Sequence, residues 1–81
     1  MRVAILGTGL IGASIGLGLR ERVSGVYVIG YDRNRRAADT ARKLKAVDEI
    51  AFSATETVRN ADVVVLAVPV LAIKPLLEEI K

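Results

Sequence analysis

Val3-Ala4-Ile5-Leu6-Gly7-Thr8-Gly9-Leu10-Ile11-Gly12 is the stretch that decides how this chain is read. An apolar run passes directly into Gly-x-Gly-x-x-Gly, and a helical pattern follows it. Glycines at that spacing occur by chance in many loops. Here a second apolar run, Val26 to Tyr31, comes next and ends on an acid, Asp32, 20 residues after Gly12. Strand, glycine turn, helix, strand and acid in that order are what distinguish a dinucleotide-binding fingerprint from a chance match.

The glycines have separate tasks. At Gly7 the chain leaves its strand in a tight turn that a Cβ would restrict. At Gly9 the backbone is expected to approach a pyrophosphate, so a side chain would occupy the ligand's space. Gly12 lets the new helix pack closely on the strand it has just left, and Gly16 extends that smooth face. The N–H groups of the first helical turn, Leu10 to Ala13, would then face the phosphates with the positive end of the helix dipole behind them. The hydroxyls of Thr8 and Ser14 are candidate additional donors.

Composition narrows the field. Eighty-one residues with 52% hydrophobic content suffice for one small domain with a modest core. Cysteine is absent, which removes disulfides and thiolate metal sites and is compatible with a reducing compartment. Histidine is absent too, so the usual imidazole base and the commonest zinc ligand are both missing. No metal ligands and no catalytic residue are assigned. With a net charge of +3 and three aromatic residues, recognition of nucleic acid by stacking has little support. No signal-peptide pattern and no apolar run of membrane-spanning length is visible, so a cytoplasmic protein is expected.

Along the chain, Val3 to Leu6 reads as a strand buried on both faces, because it is continuously apolar. A helix follows from Leu10 to about Arg22, with Ile11, Ile15 and Leu19 on its inward face. Val26 to Tyr31 reads as the second strand. Asn34 is placed to cap a helix to about Lys45 that buries Ala37, Ala41 and Leu44. A short third strand is expected within Glu49 to Phe52. Ser53 and Glu56 have the capping-box spacing of a brief helix to about Asn60. Val63 to Val68, introduced by Asp62 and stopped by Pro69, is the strongest strand pattern. Val70, Ile73, Leu77 and Ile80 mark a last helix, in which Pro75 is tolerated only in or near the first turn.

Strands alternating with helices imply right-handed crossovers and a parallel sheet. The expectation is an α/β fold of the Rossmann type, a partial doubly wound parallel sheet of about four strands in the order 3-2-1-4. A full dinucleotide domain needs two more strands. Residues 1–81 are therefore expected to be a single dinucleotide-binding domain, the N-terminal fragment of a longer dehydrogenase. In that order strand four lies at an edge, and Val63 to Val68 carries neither charge nor proline to blunt it, so self-association is expected as well.

Asp32 is placed to accept hydrogen bonds from the adenosine ribose and to repel an added phosphate, which favours NAD; NADP is the alternative. Arg33 beside it can lie on the adenine face or reach a 2′-phosphate. Arg35 and Arg36 oppose the dipole of the helix they begin, although a solvated basic surface explains them more simply. Val68 and Pro69 leave the fourth strand beside the glycine turn, at the switch point where open α/β sheets bind ligands. The candidate cofactor contacts are thus Gly7, Thr8, Gly9, Leu10, Ile11, Gly12, Asp32, Arg33, Val68 and Pro69.

The stretch from Val3 to Gly16, Val-Ala-Ile-Leu-Gly-Thr-Gly-Leu-Ile-Gly-Ala-Ser-Ile-Gly, resembles the opening of prephenate and arogenate dehydrogenases. Tyr31-Asp32-Arg33-Asn34 and Asp62 to Pro69 are similar to that family as well. The resemblance covers nearly the whole chain but only the family's N-terminal cofactor domain. It implies an enzyme of tyrosine biosynthesis that passes hydride from prephenate or arogenate to NAD(P) with loss of carbon dioxide. The family's catalytic histidine and substrate-binding arginine come from beyond the matched stretch, and neither has a counterpart here. The small-molecule substrate would accordingly need a missing C-terminal domain, and the fragment alone is expected to be inactive. Two alternatives stand beside this one: the cofactor domain of another NAD(P)-linked dehydrogenase or reductase, and a non-catalytic NAD-sensing module.

Overall fold

The computed structural model describes residues 1–81 and contains four strands and four helices in strict alternation. They are β1 (Arg2–Leu6), α1 (Leu10–Arg22), β2 (Tyr27–Tyr31), α2 (Arg35–Lys43), β3 (Glu49–Ile50), α3 (Ala54–Val58), β4 (Val63–Leu66) and α4 (Val70–Ile80). The sheet is entirely parallel, in the order β3-β2-β1-β4. This is the Rossmann-type α/β arrangement that the alternating pattern implies. Right-handed crossovers in one direction, β1 to β2 to β3, put α1 and α2 on one face; the return from β3 to β4 puts α3 on the other.

The central strand β1 is flanked on both sides, and Val3, Ala4, Ile5 and Leu6 are all buried. Val3, Ile5 and Val28 point to the α1/α2 face, where they pack with Ala41, Ala46 and Val47. Alternation sends Ala4, Leu6 and Ile29 to the opposite face, towards α3 with its buried Ala54 and Thr57. Asn34 caps α2 as expected, its side-chain oxygen accepting from the N–H groups of Arg36 and Ala37. Ser53 Oγ accepts from the N–H of Glu56, one half of the capping box.

Several expected faces and limits are corrected by the structure. The inward face of α1 centres on Gly12 and Gly16, with Ala13, Ile15 and Leu19 beside them; Ile11 is 70% exposed. The reason is close approach. A Cβ on Gly12 would lie 1.8 Å from the Gly7 carbonyl oxygen, and one on Gly16 would lie 2.1 Å from that of Ala46. The helix therefore rests on backbone, and its larger side chains flank the contact. In α2 the buried residues are Ala38 and Ala41, with Leu44 exposed. That helix stops at Lys43, Lys45 takes a left-handed conformation (φ 63°), and Ala46 and Val47 fill the core in place of Leu44.

α3 likewise ends at Val58, ahead of the left-handed Asn60 (φ 63°). β3 is two residues long, because Phe52 leaves the sheet and lies under the Arg35 guanidinium, 4.5 Å from ring centroid to Cζ. β4 ends at Leu66, since Ala67 to Pro69 pass over the glycine turn. As the edge strand that the expected order makes it, β4 is half covered, with Val63 and Val64 exposed.

α4 runs as predicted from Val70 to Ile80, but no residue in it is buried and Val70 and Leu77 are exposed. Pro75 lies past its first turn, where it removes one intrahelical hydrogen bond. Because Pro75 and Leu71, the residue whose carbonyl loses that bond, are both exposed, water can satisfy the carbonyl.

The two helical glycines Gly16 and Gly18 separate packing from propensity. Gly16→Ala would push α1 off Ala46 and is expected to destabilise the fold by about 1–3 kcal/mol. A Cβ on Gly18 meets nothing within 4 Å, so Gly18→Ala is expected to stabilise by about 0.5–1 kcal/mol. Urea unfolding of both variants against the parent checks the pair. Equal midpoints would mean that α1 does not rest on Ala46.

Candidate functional site

The C-terminal ends of β1, β2 and β4 converge on the glycine turn. Gly7 follows β1 with φ 101°, a conformation that favours glycine. Its N–H donates to the Tyr31 carbonyl at the end of β2 (2.8 Å), and the Ala67 N–H donates to the Leu6 carbonyl (2.8 Å). A Cβ on Gly7 would lie 2.3 Å from the Ala67 oxygen and 2.9 Å from Val68 Cγ1. Val68 therefore sits against the turn. Pro69, exposed and extended, starts α4 at the same end of the sheet.

Gly9 behaves differently from its neighbours. It is extended (φ −70°) at the N-cap of α1, and a Cβ there would meet nothing in the protein within 4 Å. Neither strain nor packing accounts for a glycine at this position. Next to it, the N–H of Ala13 bonds to the Gly9 carbonyl, whereas those of Leu10, Ile11 and Gly12 find no backbone acceptor. Leu10 (86% exposed) and Ile11 stand open to solvent. Open space over Gly9, three free donors and the positive end of a 13-residue helix fit an anionic group such as a phosphate.

Of the candidate hydroxyls, Ser14 Oγ is engaged locally, donating to the Leu10 carbonyl (2.8 Å). Thr8 is buried and faces Asp32. Its N–H donates to Asp32 Oδ2 at 2.7 Å, and its Oγ1 lies 3.4 Å from the same oxygen. Asp32 Oδ1 accepts from the Asn34 N–H at 2.8 Å. The acid is thus at the mouth of the turn, as its spacing predicts, and it is already bonded to the chain on both oxygens.

Beside Asp32 lies a cavity of about 190 Å³, lined by Tyr31, Asp32, Arg33, Arg35, Ala51 and Phe52 among others. Arg33 is exposed on its wall. Arg35 stacks on Phe52 and pairs with Asp39 at 3.2 Å, so its cation is met within the chain. Phe52 was not evident as a site residue, because it continues the apolar pattern of β3. The signal that marks it is that it is the one phenylalanine of the chain and directly precedes a helix cap. A larger cavity of about 340 Å³ lies between β2, β3 and α3 and includes none of the predicted site residues. Tyr27, whose hydroxyl donates to Glu49 (2.7 Å) and whose pKa is raised by that bond, begins β2 at the far end of the sheet. No group of three metal-ligating side chains converges anywhere.

With this geometry in view, the similarities are specific. Residues 15–81 match the family model described as prephenate dehydrogenase, nucleotide-binding domain. A cyclohexadienyl dehydrogenase of Zymomonas mobilis is 39% identical over 70 residues, covering 86% of this chain and 24% of the relative. The crystal structure of Synechocystis arogenate dehydrogenase superposes with a TM-score of 0.89 at 34% identity, over 99% of this chain and 28% of that one. Prephenate dehydrogenase from A. aeolicus, in complex with hydroxyphenyl propionate and NAD+, gives 0.85 at 28% identity, over 94% of this chain and 27% of that one. The chain spans about a quarter of the length of each. On the match of residues 15–81, the chain belongs to the prephenate dehydrogenase family and corresponds to its nucleotide-binding domain.

Proposed function

We propose that residues 1–81 are a single NAD-binding domain belonging to a longer prephenate or arogenate dehydrogenase. The observation that carries this is the open space over Gly9, flanked by the free N–H groups of Leu10 to Gly12 and by the Asp32 carboxylate. The A. aeolicus relative supports it, being a prephenate dehydrogenase in complex with NAD+. In this scheme the pyrophosphate lies over Gly7, Gly9 and the first turn of α1, beside Thr8. Asp32 accepts from the adenosine ribose, Arg33 flanks the adenine, and Val68 and Pro69 border the ring end. The acid beside the ribose favours NAD over NADP. When bound, NAD accepts the hydride. The chain's own residues bind and orient the dinucleotide, and no histidine is present to move a proton.

The substrate is prephenate or arogenate, the setting is tyrosine biosynthesis in the cytoplasm, and oxidative decarboxylation belongs to the longer enzyme. No helix here is long and apolar enough to cross a membrane. A second copy of the chain is the remaining partner in this reading. β4 has one unpaired hydrogen-bonding side, no charge or proline within Val63–Leu66, and exposed Val63 and Val64.

Binding, turnover and association each have an expected outcome. Titration should show tighter binding of NAD than of NADP, and Gly9→Ala should weaken NAD on the order of tenfold or more, about 1.4 kcal/mol per decade. The same variant should change folding stability by no more than about 1 kcal/mol. Unaltered NAD affinity in Gly9→Ala would remove the main support of the reading. Mixed with prephenate and NAD, the 81-residue chain should give no reduced cofactor above background, since a positioned acid–base histidine is typically worth about 10²–10⁴-fold. Robust turnover would contradict the assignment of the chemistry to the longer enzyme. At micromolar concentration, light scattering should report a mass that grows with concentration. A concentration-independent monomer would show that the β4 edge is protected.

A further inference from the structure

We infer that Asp32 is a positioning residue for the phosphate-binding turn, in addition to any contact it makes with a ribose. This rests on the nucleotide-binding reading above but comes from a different set of contacts. The end of β2 holds two successive amides of the turn. The Tyr31 carbonyl accepts from Gly7, and the Asp32 carboxylate accepts from Thr8 at 2.7 Å. Thr8 is buried, and its methyl packs onto β2: a Cβ on Gly30 would lie 3.0 Å from Thr8 Cγ2. Thr8 is thus held against β2, and Asp32 supplies the acceptor for its N–H.

The dependence runs downstream through covalent geometry. Gly9 and the free N–H groups of Leu10, Ile11 and Gly12 follow Thr8 directly, so the place of Thr8 sets where those donors point. Removing the carboxylate leaves a buried N–H without a partner, and the turn must shift or admit water. The carboxylate is also largely occupied. It offers about four lone-pair directions, and Thr8 N–H, Thr8 Oγ1 and Asn34 N–H are directed at three of them. About one direction is left for a sugar hydroxyl. A substitution such as Asp32→Ala therefore does not simply open the site to NADP. It loosens the pyrophosphate cradle and weakens both cofactors together.

Amide hydrogen exchange on the ligand-free chain tests the clamp, and nucleotide titration tests its consequence. In the parent chain the Thr8 amide should exchange slowly. In Asp32→Ala it should exchange roughly tenfold faster or more, while the Ile5 and Val28 amides keep their protection. Asp32→Asn, which retains one acceptor oxygen and removes the charge, should keep most of the Thr8 protection, and it carries the test if Asp32→Ala fails to fold. ADP and 2′,3′-dideoxy-ADP are the titrants. A carboxylate that served only the ribose would leave dideoxy-ADP affinity unaltered in Asp32→Ala, whereas the clamp predicts a loss of about tenfold for both ligands. Unchanged Thr8 exchange, or dideoxy-ADP bound as tightly by Asp32→Ala as by the parent, overturns the inference. A parent chain that binds no ADP would overturn the nucleotide reading instead, and the exchange data would still decide the clamp.

Discussion

Backbone resting on backbone is the constraint from which the rest of this structure follows. At three points a carbonyl oxygen occupies the place a side chain would need: Ala67 at Gly7, Gly7 at Gly12 and Ala46 at Gly16. These contacts draw β4, β1 and the start of α1 around the glycine turn and set the link after α2 against the middle of α1. With α1 this close, its dipole and free N–H groups sit directly over the strand ends. A single methyl at Gly12 would lift the helix, and the placement of its free N–H groups would go with it. Core packing and site geometry thus share the same glycines.

A second device recurs at the strand ends. Three aspartates each accept a backbone N–H from a neighbouring strand or turn. Asp62 takes that of Arg2 (2.7 Å), Asp48 that of Val28 (2.7 Å) and Asp32 that of Thr8 (2.7 Å). Asp62 and Asp48 also donate their own N–H groups to the Arg2 and Val28 carbonyls, closing the ladder where β4 and β3 begin. Asp48 is further met by Arg20 of α1 at 2.9 Å, which ties the helix to the sheet from its distal end. Two of these acids secure the end of the sheet away from the glycine turn, and the third secures the turn itself. The charge that looks like a ligand contact in the sequence is, in the fold, also a tie between strands.

How much of this was legible beforehand depends on which interaction writes the pattern. The glycine turn, the limits of α1 and α4, the Asn34 cap and the strand order follow from local rules, and the structure agrees with each. The faces of α1 and α2 were misplaced at Ile11 and Leu44 because periodicity weighs large apolar residues. Gly12, Gly16 and Ala41 make the close contacts their positions predict, and Ala38, too small to weigh in the pattern, is the one it passes over. The edge position of β4 follows from the strand order and not from its own residues, since Val63 to Val68 is uniformly apolar. The Thr8–Asp32 bond and the Arg35–Phe52 stack join residues from separate segments of the chain, and nothing in linear spacing announces them.

Cooperativity is unevenly distributed in such a molecule. The sheet, α1 and α2 share one buried cluster. α4 packs chiefly on α3, is linked to it by a long bond from Thr55 Oγ1 to the Glu79 carbonyl, and is interrupted by Pro75 with no residue buried. Its order comes from a thin, one-sided contact, so it opens at a free energy well below that of the core. A helix-sensitive signal and a core-sensitive signal would then melt apart, and a single unfolding free energy would describe the sheet but not the last helix.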